Sequence, residues 1–200
     1  VLRASMKGRE SGMPDEAYWA SFFDPEGILD RLRLARGGRY SVLEFGCGYG
    51  TFTFPVAKRT QGVVTALDIE PDMVELVGQR AEAEGLPHVR AAIRDFVEHG
   101  TGVADNSQGH AMLFNLLHIE DPLVLLREAY RALQPGAALS VIHWRSDIET
   151  PRGPPLAIRP RPAQCMNWVA EAGFAAVCPV DLGNSAPYHF GLLAKKPVSN

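Results

Sequence analysis

Cysteine is scarce: the 200-residue chain has three, Cys47, Cys165 and Cys178. They are odd in number, widely spaced and form no CxxC pair, so neither a disulfide framework nor a zinc site is expected. Reduced thiols fit a cytoplasmic compartment. No apolar run approaches the ~18 residues that a membrane helix needs, so no membrane partner is expected. An excess of base is missing too. Lys and Arg number 20 against 23 Asp and Glu, a net charge of -3. A dedicated nucleic-acid binder usually shows a basic surplus, and none is expected as a partner here. Internal repeats and low-complexity tracts are also absent.

What is present is an ordinary globular composition, 46% hydrophobic and 22% charged. A chain of this length favours one domain able to bury its own core. Residues 1–12 are polar and have no apolar stretch of a signal peptide. They are expected to be a disordered arm or a cloning remnant, with Met6 or Met13 as a native start. The domain is then expected over 13–200, with an N-terminal helical cap at 13–35, broken at Phe22-Phe23-Asp24-Pro25 because the residue before a proline avoids helical geometry.

From residue 40, strand and helix signals alternate. Strands are expected over 40–45, 63–68, 89–94, 109–115, 137–143, 174–180 and 188–194. Helices are expected over 51–60, 71–84 and 162–172, with another opening at Asp121-Pro122, where Asp121 can cap and Pro122 suits the first turn. Residues 146–162 carry five prolines (Pro151, Pro154, Pro155, Pro160 and Pro162) and read as a loop or lid. Such alternation implies a doubly wound, mostly parallel α/β sheet covered on both faces.

The strongest local signal is VLEFGCGYGT at 42–51. Gly46, Gly48 and Gly50 end a strand and open a helix, which lets backbone N–H groups approach a ligand closely. Asp68 ends the next strand, 22 residues after Gly46. An acid there can accept both hydroxyls of a ribose. The dinucleotide fingerprint is G-x-G-x-x-G; here Thr51 stands where its third glycine would be. Glu44 would repel a pyrophosphate but suits the ammonium of a methionine tail. A nicotinamide oxidoreductase is therefore disfavoured.

These segments, in this order, resemble the class I S-adenosylmethionine-dependent methyltransferases of the small-molecule type. ALDIEPDM (66–73), RDF (94–96), FNLLHIED (114–121), LQPGA (133–137) and EAGF (171–174) extend the resemblance. It implies a Rossmann-like seven-stranded sheet with its last strand antiparallel. It also implies S-adenosyl-L-methionine as cofactor, S-adenosyl-L-homocysteine as product, and a cofactor site containing Glu44, Gly46, Cys47, Gly48, Tyr49, Asp68, Ile69, Met73, Asp95, Phe96, Asn115 and Leu116. Cys47 reads as a small filler beside the ligand. Asp95 can equally cap a short helix over 96–99.

On the acceptor side, His118 is the first candidate base and His143 the second; ordinary structural roles compete for both. Tyr18 or Trp19 is expected to fold over the cofactor, or else to pack on the sheet. Arg145, Arg152, Arg159 and Arg161 read as a solvated loop before they read as an anion site. Tyr188 and His189 read as structural. No metal is expected, because Asn115 and Asp121 alone are too few ligands. The resulting expectation is methyl transfer to oxygen or nitrogen of a small molecule by a monomer or homodimer. A catalytically silent cofactor-binding protein is the alternative.

Overall fold

The computed structural model describes residues 12–198. The expectation for residues 1–12 falls, except for Gly12, outside the described residues. Seven strands form one sheet in the order β3-β2-β1-β4-β5-β7-β6. They are β1 (Val42–Phe45), β2 (Val64–Asp68), β3 (Val89–Ile93), β4 (Gln108–Phe114), β5 (Leu133–Trp144), β6 (Ala175–Val180) and β7 (His189–Lys195). β1 to β5 pair in parallel, and β7 is inserted antiparallel between β5 and β6. The chain order reverses between β1 and β4, where a parallel sheet leaves a crevice at its carboxyl edge.

The helices are α1 (Glu16–Ala20), α2 (Pro25–Arg31), α3 (Thr53–Ala57), α4 (Pro71–Ala83), α5 (Phe96–His99), α6 (Pro122–Ala132) and α7 (Pro162–Glu171). Their starts follow local chemistry. The Asp24 carboxylate accepts from Gly27 N–H at 3.1 Å, Asp95 from Glu98 N–H at 3.0 Å and Asp121 from Leu123 N–H at 3.1 Å. Each such cap is worth about 1 kcal/mol.

Alternation along the central strands feeds two cores. Leu43 and Phe45 of β1, with Ala111 and Leu113 of β4, face α6 and α7. Val42, Val64, Met112 and Ile142 face α2 and α3. Arg59 is buried between α3 and α2; it pairs with Asp30 at 2.7 Å and with Glu26, tying the N-terminal helices to the sheet.

Most expected boundaries lie within two residues of those observed. β5 is the exception: it starts at Leu133, four residues before the expected Ala137. Pro135-Gly136 does not break it, because the β4–β5 register shifts there and Gly136 N–H donates to the Lys196 carbonyl at 2.8 Å. The helix expected over 51–60 is only Thr53–Ala57, since residues 50–52 remain in the glycine turn.

Candidate functional site

A cavity of about 410 Å³ opens at the carboxyl ends of β1, β2, β4 and β5. That is the size and place of an ordinary small-molecule site. On the β1–β3 side, Gly46, Gly48 and Gly50 have φ of 73°, 50° and 78°. That left-handed geometry disfavours any side chain. A Cβ on Gly48 would also come within 3.1 Å of the Met13 side chain.

Asp68 is buried at the tip of β2. One carboxylate oxygen accepts from Gly48 N–H at 2.8 Å and the other from Glu70 N–H at 3.1 Å. Burial raises its pKa, and the N–H donors oppose that rise. Glu44 is also buried. Its Oε2 accepts from the Thr53 hydroxyl at 2.5 Å, and desolvation pushes its pKa up to about 8. Glu44 therefore holds its proton at neutral pH, whereas the charge argument made from sequence needed a carboxylate. Cys47 is buried and its thiol pKa lies far above the ordinary range, chiefly from desolvation, so it is no nucleophile.

Across the sheet, at the tips of β4 and β5, the lining changes to Phe114, Asn115, Leu116, His118 and Trp144. Asn115 has φ of 62°, and its buried Oδ1 has no partner among the described residues. His118 is half-buried, and desolvation lowers its pKa. Two segments roof the cavity: Gly12–Pro14 with Trp19, and Arg152–Pro155 with Ile158. They touch each other, through the Arg152 guanidinium on the Gly12 carbonyl and the Tyr18 hydroxyl on the Pro151 carbonyl at 3.5 Å. Arg80 of α4 donates to the Tyr49 carbonyl at 3.2 Å and pairs with Glu16 of α1 at 2.8 Å, fastening roof to glycine turn.

Of the sequence candidates, Glu44, Gly46, Cys47, Gly48, Asp68, Ile69, Asp95, Phe96, Asn115, Leu116, His118 and Trp19 line this cavity. Tyr18, Tyr49, Met73 and His143 do not. Tyr18 is 45% exposed on the outer side of α1. The Tyr49 hydroxyl donates to the Pro14 carbonyl at 2.7 Å, holding the roof rather than facing the cavity. Met73 lies on α4 beyond the turn. His143 is buried behind His118. Arg159 is likewise not solvated: it is 8% exposed and donates to the carbonyls of Pro154, Arg145 and Arg152. Trp144, Phe52, Phe114 and Arg94 were missed, and of the stretch 146–162 expected as a loop or lid, Arg152–Pro155 and Ile158 reach the cavity. The aromatic beside His143 and the proline cluster were the available signals.

Glycine turn, strand-end acid and crevice define an α/β protein that binds a nucleoside cofactor. A family model described as a methyltransferase domain matches residues 42–136. An S-adenosylmethionine-dependent methyltransferase from Aquifex aeolicus superposes with a TM-score of 0.75 at 26% identity, covering 91% of this chain and 94% of that one. A ubiquinone/menaquinone biosynthesis C-methyltransferase of Rhizobium meliloti is 28% identical over 157 residues, 76% of this chain and 55% of the relative. An uncharacterized 37.1 kDa protein of a Streptomyces fradiae transposon is 34% identical over 151 residues, 68% of this chain and 41% of its own length. The chain thus spans about half the length of these curated relatives. Residues 42–136 are thus a methyltransferase domain, and the chain is similar in fold to the S-adenosylmethionine-dependent methyltransferases. Its cavity fits that cofactor: the glycine turn leaves room for a backbone approach, and Asn115 offers a buried acceptor with nothing yet bonded to it.

Among the described residues no helix is long and apolar enough to cross a membrane, and no group of three or more His, Cys, Asp or Glu could hold a metal ion.

Proposed function

We propose that this protein transfers a methyl group to an oxygen or nitrogen atom of a small-molecule acceptor. The observation that carries the reading is one continuous cavity running from Asp68 and the glycine turn to His118. S-adenosylmethionine, when bound, supplies an already activated methyl group, so the protein's task is to orient the acceptor and exclude water. Asp68 holds the ribose hydroxyls, the 46–50 turn and Glu44 face the methionine end, and Asp95 with Phe96 flanks the adenine. Asn115 and Leu116 sit at the reacting centre. His118 stands past the end of β4 and accepts the acceptor's proton where one must be lost. The roof of Gly12, Met13, Pro14, Trp19, Arg152–Pro155 and Ile158 over the cavity supports a small molecule rather than an extended polymer.

Calorimetric titration with S-adenosylmethionine, S-adenosylhomocysteine and NAD tests the cofactor half. Micromolar binding of the first two and none of NAD is expected; failure of both sulfur compounds to bind would overturn the proposal. Tight binding without turnover across an acceptor panel would instead make the protein a silent binder of the cofactor.

A further inference from the structure

The acceptor half holds a pair of histidines whose hydrogen bonds fix where the protons lie. His143 is fully buried at the end of β5. Its Nδ1 is 3.1 Å from the Trp144 carbonyl, which can only accept, so Nδ1 carries the hydrogen. A neutral imidazole has one N–H, which leaves His143 Nε2 as an acceptor. It lies 3.2 Å from His118 Nδ1, which must then donate. His118 is left with its lone pair on Nε2, for which no described residue provides a hydrogen bond. Burial lowers the pKa of both rings, which keeps them neutral at pH 7.

The walls around His118 narrow the choice of acceptor. Every carboxylate lining the described cavity, Glu44, Asp68 and Asp95, belongs to the β1–β3 side. The acceptor side is made of Trp19, Phe114, Ile119, Trp144, Pro154 and Ile158, and the one charged side chain over it is that of Arg152, a cation. Behind it Arg159 lies 5.8 Å over the Trp144 ring, bonded to carbonyls and paired with no carboxylate among the described residues. A cationic amine would enter this chamber without a counter-ion and beside an existing positive charge, which is costly. A neutral flat molecule would lose little on desolvation and present one donor to Nε2.

Resting on the methyl-transfer reading, we propose that the acceptor is a flat, apolar molecule reacting through an ionisable hydroxyl of the phenol or enol class, with His143 as the positioning residue that aims the His118 lone pair. His118 Nε2 takes the hydroxyl proton. The freed oxygen electron pair forms the O–CH3 bond as the methyl–sulfur bond breaks. That bond's electrons return to sulfur, giving a methyl ether and a neutral thioether. The proton on His118 passes to solvent.

The test is binding of two probes to the S-adenosylhomocysteine-loaded protein: 2-naphthol and 2-naphthylmethylamine, a cation of matched ring size. The naphthol is expected to bind at least about tenfold more tightly, the scale of an uncompensated charge. Equal or tighter binding of the amine would overturn the assignment. His118→Phe should weaken naphthol binding, because no lone pair then accepts from its hydroxyl, and leave S-adenosylhomocysteine affinity unchanged. His143→Gln retains an oxygen acceptor for His118 and should keep the naphthol affinity, while His143→Leu should lower it. Identical behaviour of the two variants would reduce His143 to core packing. Nitrogen-15 NMR of the unsubstituted protein reads the same point without a variant: His118 is expected protonated at Nδ1 and bare at Nε2, and the reverse pattern overturns the relay. If S-adenosylhomocysteine itself fails to bind, the proposed function falls; if it binds and the amine is preferred, only the acceptor class falls.

Discussion

At the tips of β1, β2 and β3 the cavity presents Glu44, Asp68 and Asp95 around a glycine turn. At the tips of β4 and β5 it presents Phe114, His118 and Trp144 under a proline-rich roof. The first half is made of backbone donors and acids held by short-range contacts, such as Gly48 to Asp68 and Thr53 to Glu44. The second is made of rings held by contacts between distant segments, such as Trp144 with Trp19 at 6.4 Å and with His189 at 4.1 Å. Polar groups aimed by backbone suit a cofactor of fixed structure. Apolar walls with one basic atom suit an acceptor chosen by shape.

The sharpest test of that division is His118→Ala. Turnover is expected to fall about 10²-fold or more, the usual contribution of a positioned base, with calorimetric affinity for S-adenosylmethionine unchanged. A parallel loss of cofactor affinity would show that the two halves are one unit. The converse substitution, Asp68→Ala, is expected to weaken S-adenosylhomocysteine binding by about 1.5–3 kcal/mol, the scale of hydrogen bonds to a charged group. Unchanged affinity in a folded variant would remove Asp68 from the site.

The halves also respond to pH through different groups, one in cofactor affinity and the other in stability. Burial pushes the Glu44 pKa up to about 8. A cationic cofactor favours its ionised form, so affinity should rise with pH by up to about tenfold per unit below pH 8; Glu44→Gln should flatten that profile in calorimetry. On the ring side, desolvation depresses His143 and His189 to about 3, and buried His110 beside Ser140 likewise. The unfolded chain binds protons near the ordinary value of 6.5, so these histidines leave stability intact above that pH. Stability should then decline as pH falls from 6.5 toward 3, read as a falling Tm in a pH series. The smallest expected effect is Tyr18→Phe. Its hydroxyl makes one long exposed contact to Pro151, so stability should change by less than about 0.5 kcal/mol, and kcat and KM should stay within about twofold; a larger change in KM would bring Tyr18 into the roof of the site.

Legibility followed the same division. Gly46, Gly48 and Gly50 stood out because a tight turn is written in contiguous residues, and Asp68 because it ends the very next strand. The caps Asp95 and Asp121 were readable for the same reason, each being bonded within three residues. Trp144 was not readable as a wall, since an aromatic at the end of an apolar strand looks like core until its neighbours are known. Tyr18 and Trp19 could not be told apart, because adjacent residues at the end of a five-residue helix diverge according to how the helix docks. Residues 146–162 read as a loop or lid; which of them roof the cavity depends on contacts such as that of Arg152 with Gly12, 140 residues away in sequence.

The sequence by itself determined the alternation of strands and helices, the glycine turn, its acidic partner and the family, since periodicity, turn geometry and capping act over a few neighbouring residues. Only the tertiary structure decided the acceptor side. His118 and His143 lie 25 residues apart and meet because β4 and β5 pair in register, Phe114 opposite Ile142, with each histidine just beyond that pair. Proton placement on the two rings follows from that meeting and from the Trp144 carbonyl behind it. A buried hydrogen bond depends on which groups share a small volume, and that is fixed by strand register and packing rather than by spacing along the chain.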